Sequence, residues 1–448
     1  MKILSKCLAL MLAAGLALTS CSKEEGCTDP IASNYNVDAE KDCCCEYDTS
    51  SNNEVVSGAI TSDETWTSDK IWELNGRVWV ENSATLTIEP GTIIKGRQGE
   101  GANASALIIA KGANIIAEGT SSSPIIFTSV LDNIEIGETF GTNLNQFDRG
   151  KWGGIIVLGN APVSAQEGDD VAQIEGLPAD QSYGAYGGTD VSDNSGILRY
   201  ISIRHGGILI GEGNEINGLT LGGVGNGTTI DKVEVVGNVD DGIEFFGGSV
   251  DVTNALVAFQ GDDGIDIDQN YSGEVDNFLV IHGVDTDEAL EIDGPEGTLS
   301  DGLFSLLNGT IISTDGVGSA ADLKSKAQGN IQNMTCWGYS ADKYLKFRES
   351  FENNCTGDKT DAYDYYTNGS LTLLVQNCEF EGSTGLTIVY TGSEDNNGDD
   401  CPVDAALQNT AQNQFNSDNH LTGASAPTTG ANSSAFDNWT WSHENGLY

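Results

Sequence analysis

From about residue 55 the chain alternates apolar and polar residues in short runs, each closed by Gly, Asn or Asp. A period of two over four or five residues predicts β-strands, and no helical period of any length competes with it. The runs recur. Ala84-Thr85-Leu86-Thr87-Ile88, with Pro90-Gly91-Thr92 behind it, is echoed by Ala113-Asn114-Ile115-Ile116-Ala117. Lys232-Val233-Glu234-Val235-Val236 is followed by Asn254-Ala255-Leu256-Val257-Ala258 and Asn277-Phe278-Leu279-Val280-Ile281, steps of 22 and 23 residues. Such a step suits one coil of a parallel β-helix, and the longer later steps imply loops protruding from individual coils. A single coil cannot bury its own apolar face, so the coils must stack to make a core. The expected fold is therefore all-β, a right-handed parallel β-helix over residues 55–436 with a C-terminal cap at 437–448.

An asparagine opens many of these runs: Asn254, Asn277, Asn308, Asn333 and Asn377. Stacked in equivalent turns, their amides predict a buried hydrogen-bonded ladder. The plainer alternative is that Asn suits turns.

A second register follows the first: Asp240-Asp241-Gly242-Ile243-Glu244-Phe245, then Asp262-Asp263-Gly264-Ile265-Asp266-Ile267, then Asp287-Glu288-Ala289-Leu290-Glu291-Ile292. Strand neighbours alternate faces, so the Ile, Leu and Phe residues point inward while Glu244, Asp266 and Glu291 point outward together. Asp322, Lys346 and Thr387 are expected in the same slot of later coils. Rungs lie about 4.8 Å apart, and a column of like charges at that spacing is destabilising unless neutralised. Clustered carboxylates suit Ca²⁺, and Asp240, Asp241, Glu244, Asp262, Asp263, Asp266, Asp287 and Glu291 are its candidate ligands. The alternative is a solvated acidic face, or one neutralised by Lys346. Asp395-Asn396-Asn397-Gly398-Asp399-Asp400 is either a further cation loop or an acidic turn.

Composition sharpens this picture. Asp and Glu outnumber Lys and Arg 67 to 20, for a formal charge of −47. So negative a surface repels nucleic acid and attracts cations. Residues 1–20 read as an export leader: Lys2 and Lys6 precede an apolar stretch too short to span a bilayer. Leu18-Thr19-Ser20-Cys21 matches a lipobox, making Cys21 the expected lipidation site and lipid the expected membrane contact. Residues 21–54 form a Cys-rich tether with Cys27, Cys43, Cys44 and Cys45, where disulfides are favoured over a metal site because no His is near. Cys336, Cys355, Cys378 and Cys401 are expected to staple the C-terminal coils, with pairing open.

Several motifs carry a resemblance. Ser22-Lys23-Glu24-Glu25 after the anchor resembles the surface-export signal of Bacteroidota lipoproteins. Lys151-Trp152-Gly153-Gly154-Ile155-Ile156-Val157-Leu158-Gly159, Asn214-Glu215-Ile216-Asn217-Gly218-Leu219-Thr220-Leu221 and Asp240-Asp241-Gly242-Ile243-Glu244-Phe245-Phe246-Gly247-Gly248 resemble a family of Bacteroidota β-helix lipoproteins. The resemblance implies fold, export and an outer-membrane, lipid-anchored position facing the cell exterior. It implies no reaction.

Two functions follow as expectations. One is a non-enzymatic module whose extended face binds a polysaccharide or an outer-membrane receptor. The other rests on analogy with Ca²⁺-dependent polysaccharide lyases of β-helical fold, with Lys346 or Arg348 as base and Trp337, Tyr339 and Tyr344 as sugar platforms. Zinc catalysis has no support, because His205, His282, His420 and His443 do not cluster. Gly223-Val224-Gly225-Asn226-Gly227 lacks the Lys of a phosphate loop and reads as a turn.

Overall fold

The structure is a computed structural model and describes residues 25–28, 32, 34–39, 41–42, 53–166, 168, 171–177, 180–210, 215–339, 344–368, 372–382, 389–390, 392–424 and 426–448. Cys21, Cys43, Cys44 and Cys45 lie outside these. Residues 1–51 form one unit and residues 52–448 another. In the first, Glu25–Gly26 pairs in parallel with Lys41–Asp42, and Cys27 is disulfide-bonded.

The second unit is a right-handed parallel β-helix whose strands form one large sheet. Each coil supplies three faces. On the first face Val233, Ala255 and Phe278 lie on successive rungs, in register. On the second, Ile243–Phe246, Ile265–Asp268 and Leu290–Ile292 stack in the same way. The third carries residues such as Ile230, Val252 and Val275. Ile243, Phe245, Ile265, Ile267, Leu290 and Ile292 point inward and are buried. Each such side chain contributes roughly 1.5–3 kcal/mol.

The bend from third face to first needs a left-handed residue. Lys232, Asn254, Asn277, Asn308, Asn333 and Asn377 all have φ between 52° and 62°, a region Asn tolerates better than most residues. The amides do link coils, but as two half-buried segments rather than one buried ladder. Asn277 donates to Asn254 Oδ1 (2.6 Å), and Asn254 donates to Asp231 (2.7 Å). Asn333 donates to Asn308 (3.2 Å), and Asn308 to Asp276 (2.6 Å). The break falls where Asn308 selects a carboxylate over the neighbouring amide, the stronger acceptor.

Excursions cover two faces. Outward residues Ile108, Ile156 and Phe246 of the second face pack against Ile174, Tyr186, Ile210 and Ile216 from loops between strands. The C-terminal segment is not an end cap, as expected for 437–448, but a strap along the first face. Phe436, Trp439 and Trp441 cover Val236, Leu256 and Leu279, and the buried Glu234 accepts the amides of Trp441 (2.9 Å) and Ser442 (2.8 Å). Helices contribute where none was expected: Ala362–Thr367 and Ala405–Ser417 pack over the last coils, burying Tyr366, Ala411 and Phe415.

Only part of the expected C-terminal stapling is present among the described residues. Cys355 is bonded to Cys401, whereas Cys336 and Cys378 are free thiols buried in the core. The Cys378 thiol donates instead to the Gln376 carbonyl (3.3 Å).

Candidate functional site

The repeated Asp-Asp-Gly turn brings each chain corner close to the next coil. A Cβ on Gly242 would stand 2.4 Å from Val257 Cγ1 and 2.6 Å from the Gly264 carbonyl, so only glycine fits. This tight corner fixes two parallel columns of acids. In the first, each backbone N–H donates to the side chain one coil earlier: Asp241 to Asn217 Oδ1 (3.3 Å), Asp263 to Asp241 Oδ1 (2.9 Å), Glu288 to Asp263 Oδ1 (2.7 Å). In the second, three residues on, Glu244, Asp266, Glu291, Asp322 and Lys346 occupy successive rungs. The next position is Tyr390 rather than Thr387, which lies outside the described residues.

With the turn residues Asp240 and Asp262, the columns make three groups, each with one ligand atom per residue mutually within 4.8 Å: Asp240, Asp241 and Asp262; Asp241, Glu244 and Asp266; Asp263, Glu288 and Glu291. Seven of the eight expected ligands are therefore brought together. The exception is Asp287, which is exposed at the turn, while its neighbour Glu288 takes the place equivalent to Asp241 and Asp263. The Asn217-Gly218 pair repeats the Asp241-Gly242 step one coil earlier, a signal present in the sequence that marks Asn217 as part of the site.

The acids differ in burial: Asp262 is exposed and Asp240 and Glu291 are half-buried, while Asp241, Glu244, Asp263, Asp266 and Glu288 are buried although they point outward. Glu244 is 6% and Asp266 8% exposed. Burial, then neighbouring carboxylates, raises the pKa of Asp241, Glu244 and Asp266 well above the usual range. The same causes push Asp240 up to about 7 and Asp263 to about 11.

Among the described residues, ion pairs serve one end of the columns. Lys324 Nζ lies 2.5 Å from Glu291 and 3.5 Å from Asp293. Lys346 Nζ lies 2.7 Å from Asp322 and 3.9 Å from Glu288. Among the described residues, no Lys, Arg or His pairs with Asp241, Glu244 or Asp266. Asn217 Nδ2 donates to Glu244, but Asp266 Oδ1 is buried with no hydrogen-bond partner. A buried carboxylate oxygen without a donor is costly, and a hard cation among three carboxylates removes the cost.

The family with a pectate-lyase-like β-helix domain matches residues 58–441. The chain belongs to this family. No curated protein and no solved structure matches it.

Within this pectate-lyase-like β-helix, the residues considered for lyase chemistry are tied up. Arg348 forms a bidentate pair with Asp322 (2.9–3.2 Å) and reaches Glu394 (3.0 Å), which raises its pKa further and opposes loss of a proton. Lys346 shares that buried Asp322. Both border a cleft of about 590 Å³ with Glu288, Ser319 and Glu394. Tyr339 and Tyr344 are buried, 8% and 1% exposed, and Tyr339 bonds His282 Nδ1 (2.6 Å) while Tyr344 donates to the Glu381 carbonyl (2.7 Å). Neither presents a ring face to a sugar; Trp337 alone of the three is half-buried. In the acidic loop, Asp395 Oδ1 accepts the amides of Asn397 (2.8 Å) and Asp399 (3.2 Å), and Oδ2 that of Asn354 (2.9 Å), the pattern of a turn.

Proposed function

We propose that the protein is a non-enzymatic binding module of the cell surface, lipid-anchored at Cys21, whose second face is braced by Ca²⁺ on Asp241, Glu244 and Asp266. The observation that carries the cation is the unpartnered, buried Asp266 Oδ1 inside a trio that, among the described residues, makes no ion pair. The ion supplies charge neutralisation, letting stacked carboxylates coexist and holding the overlying loops through Asn217 and its neighbours. The acids farther along are neutralised by Lys324, Lys346 and Arg348, so these three residues are assigned to structure rather than proton abstraction. The ligand of the module is a polysaccharide or an outer-membrane partner.

The test is in two arms. Thermal melting of the chelator-treated protein is expected to shift upward with Ca²⁺; an unchanged melting temperature removes the cation. Incubation with acidic polysaccharides is expected to yield no unsaturated product. Product that disappears in Lys346→Ala or Arg348→Ala replaces the binding module with a lyase.

A further inference from the structure

The corner between first and second faces keeps a regular length in the middle coils and departs from it near the N-terminus. In the first coils, Val56 pairs with Leu74 and Gly58 with Val78, so Asn75, Gly76 and Arg77 face Ser57 alone. A bulge of this kind re-aims side chains out of the ladder, and bulges concentrate next to binding sites. On the following coil, Gly96 ends one strand and Ala106 begins the next, leaving residues 97–105 as an inserted loop. A third excursion brings in Tyr183, whose ring stacks on Trp79 at 4.5 Å and 22°. Three separate departures from the repeat thus converge on one cleft of about 560 Å³, a volume within the range of small-ligand sites.

Its lining is unlike the rest of the molecule. Asn75, Gln98 and Asn103 bring side-chain amides, Arg77 a guanidinium, and Trp79 and Tyr183 the aromatic wall. Among the described residues no carboxylate lines it, in a chain with 67 acidic and 20 basic residues. The walls are held in place beforehand: Arg77 Nη2 donates to the carbonyls of Gly101 and Ile210 (3.2 Å each), and the Gly76 amide donates to Ser105 Oγ (3.1 Å). Arg77 Nε is buried and has no partner.

We infer that this cleft is a saccharide-binding site for a neutral, hydroxyl-rich glycan chain. Amides both donate and accept, which matches hydroxyl groups that do the same. The half-buried indole of Trp79, backed by Tyr183, offers an apolar plane for the C–H face of a pyranose ring. The fixed guanidinium excludes a cationic ligand, and the amide-rich walls, exposed at Asn75, Gln98 and Asn103, exclude a lipid. The formal charge of −47 works against approach of an acidic polymer. This deepens the binding-module reading and rests on it, but it does not depend on the cation, which lies on other coils.

The experiment is affinity electrophoresis of the full-length mature chain through gels containing starch, xylan, mannan, β-glucan or polygalacturonate, with and without chelator. Retardation by at least one neutral polymer is expected, weakened at least tenfold in Trp79→Ala and in the double variant Gln98→Ala/Asn103→Ala. The double variant removes only exposed side chains, so its circular-dichroism melt should match the parent and separates binding from folding. Retardation by no neutral polymer, by polygalacturonate alone, or undiminished in the double variant overturns the site. Retardation that survives chelator keeps this site even if the calcium reading fails, and a calcium-dependent melt with no retardation does the reverse.

Discussion

Asp266 lies directly on the rung after Glu244, in register, and its Oδ1 has no hydrogen-bond partner although the residue is only 8% exposed. Adjacent carboxylates held this way favour whichever species neutralises them, a proton or a metal ion. Asp266→Asn is therefore expected to raise the melting temperature in chelator and to abolish the rise that Ca²⁺ gives the parent. For the parent that rise corresponds to about 2.7 kcal/mol when Ca²⁺ is present at a hundredfold its dissociation constant. Paired thermal melts of both proteins, with Ca²⁺ and with chelator, check both effects.

The pH dependence has a definite sign. Asp240 and Glu288 are raised to about 7 and Asp263 to about 11, in each case by burial first and then by neighbouring carboxylates. A folded acid with a raised pKa holds more protons than the unfolded chain, so stability falls as pH rises above the ordinary carboxylate range near 4. In chelator, the melting temperature is expected to drop steadily between pH 5 and pH 8. Saturating Ca²⁺ should flatten that slope, because the ion replaces the protons. A melt series at both conditions reads it directly.

Lys346 and Arg348 share the fully buried Asp322, with side-chain exposures of 27% and 25% for the two bases. Removing one leaves the carboxylate with the other. Lys346→Ala is expected to cost about 1–2 kcal/mol, below the 3–5 kcal/mol typical when a buried charge loses its whole partner. Denaturant titration measures the loss, and polysaccharide incubation should yield no unsaturated product from parent or variant.

How much of this was legible in the sequence depended on the length of each coil. Where steps stay at 22–25 residues, the repeat placed Val233, Ala255 and Phe278 on one face and Glu244, Asp266 and Glu291 on another, and the strand registers agree. Where long excursions intervene, counting fails: Tyr390, not Thr387, follows Lys346. The covering of the second face was invisible because Ile174, Tyr186, Ile210 and Ile216, which pack on its outward Ile108, Ile156 and Phe246, lie in excursions with no periodic mark of where they fold back. The helix Ala405–Ser417 buries only Ala411 and Phe415, too few positions to impose a 3.6-residue pattern on the sequence. Glu288 was overshadowed by Asp287 because two adjacent acids at a turn look alike until the backbone ladder separates them.

The asparagine at the third-to-first bend has two roles that substitution can separate. Asn277 has φ 62° and links Asn254 to the strap through Asn432, whose amide donates to Asn277 Oδ1 (2.6 Å). Asn277→Gly relieves the left-handed geometry but loses the amide links, at roughly 1 kcal/mol. Asn277→Ala loses the links and adds left-handed strain, roughly 2–3 kcal/mol in all. Denaturant titration of the pair should order them parent, Gly, Ala; equal losses would mean that the backbone angle contributes nothing.

The most direct measurement is the anomalous scattering of calcium in crystals of the protein grown with CaCl₂. A peak is expected among Asp241, Glu244 and Asp266, about 2.3–2.6 Å from their oxygens and including Asp266 Oδ1. Well-ordered density for those three side chains with no peak between them would contradict it.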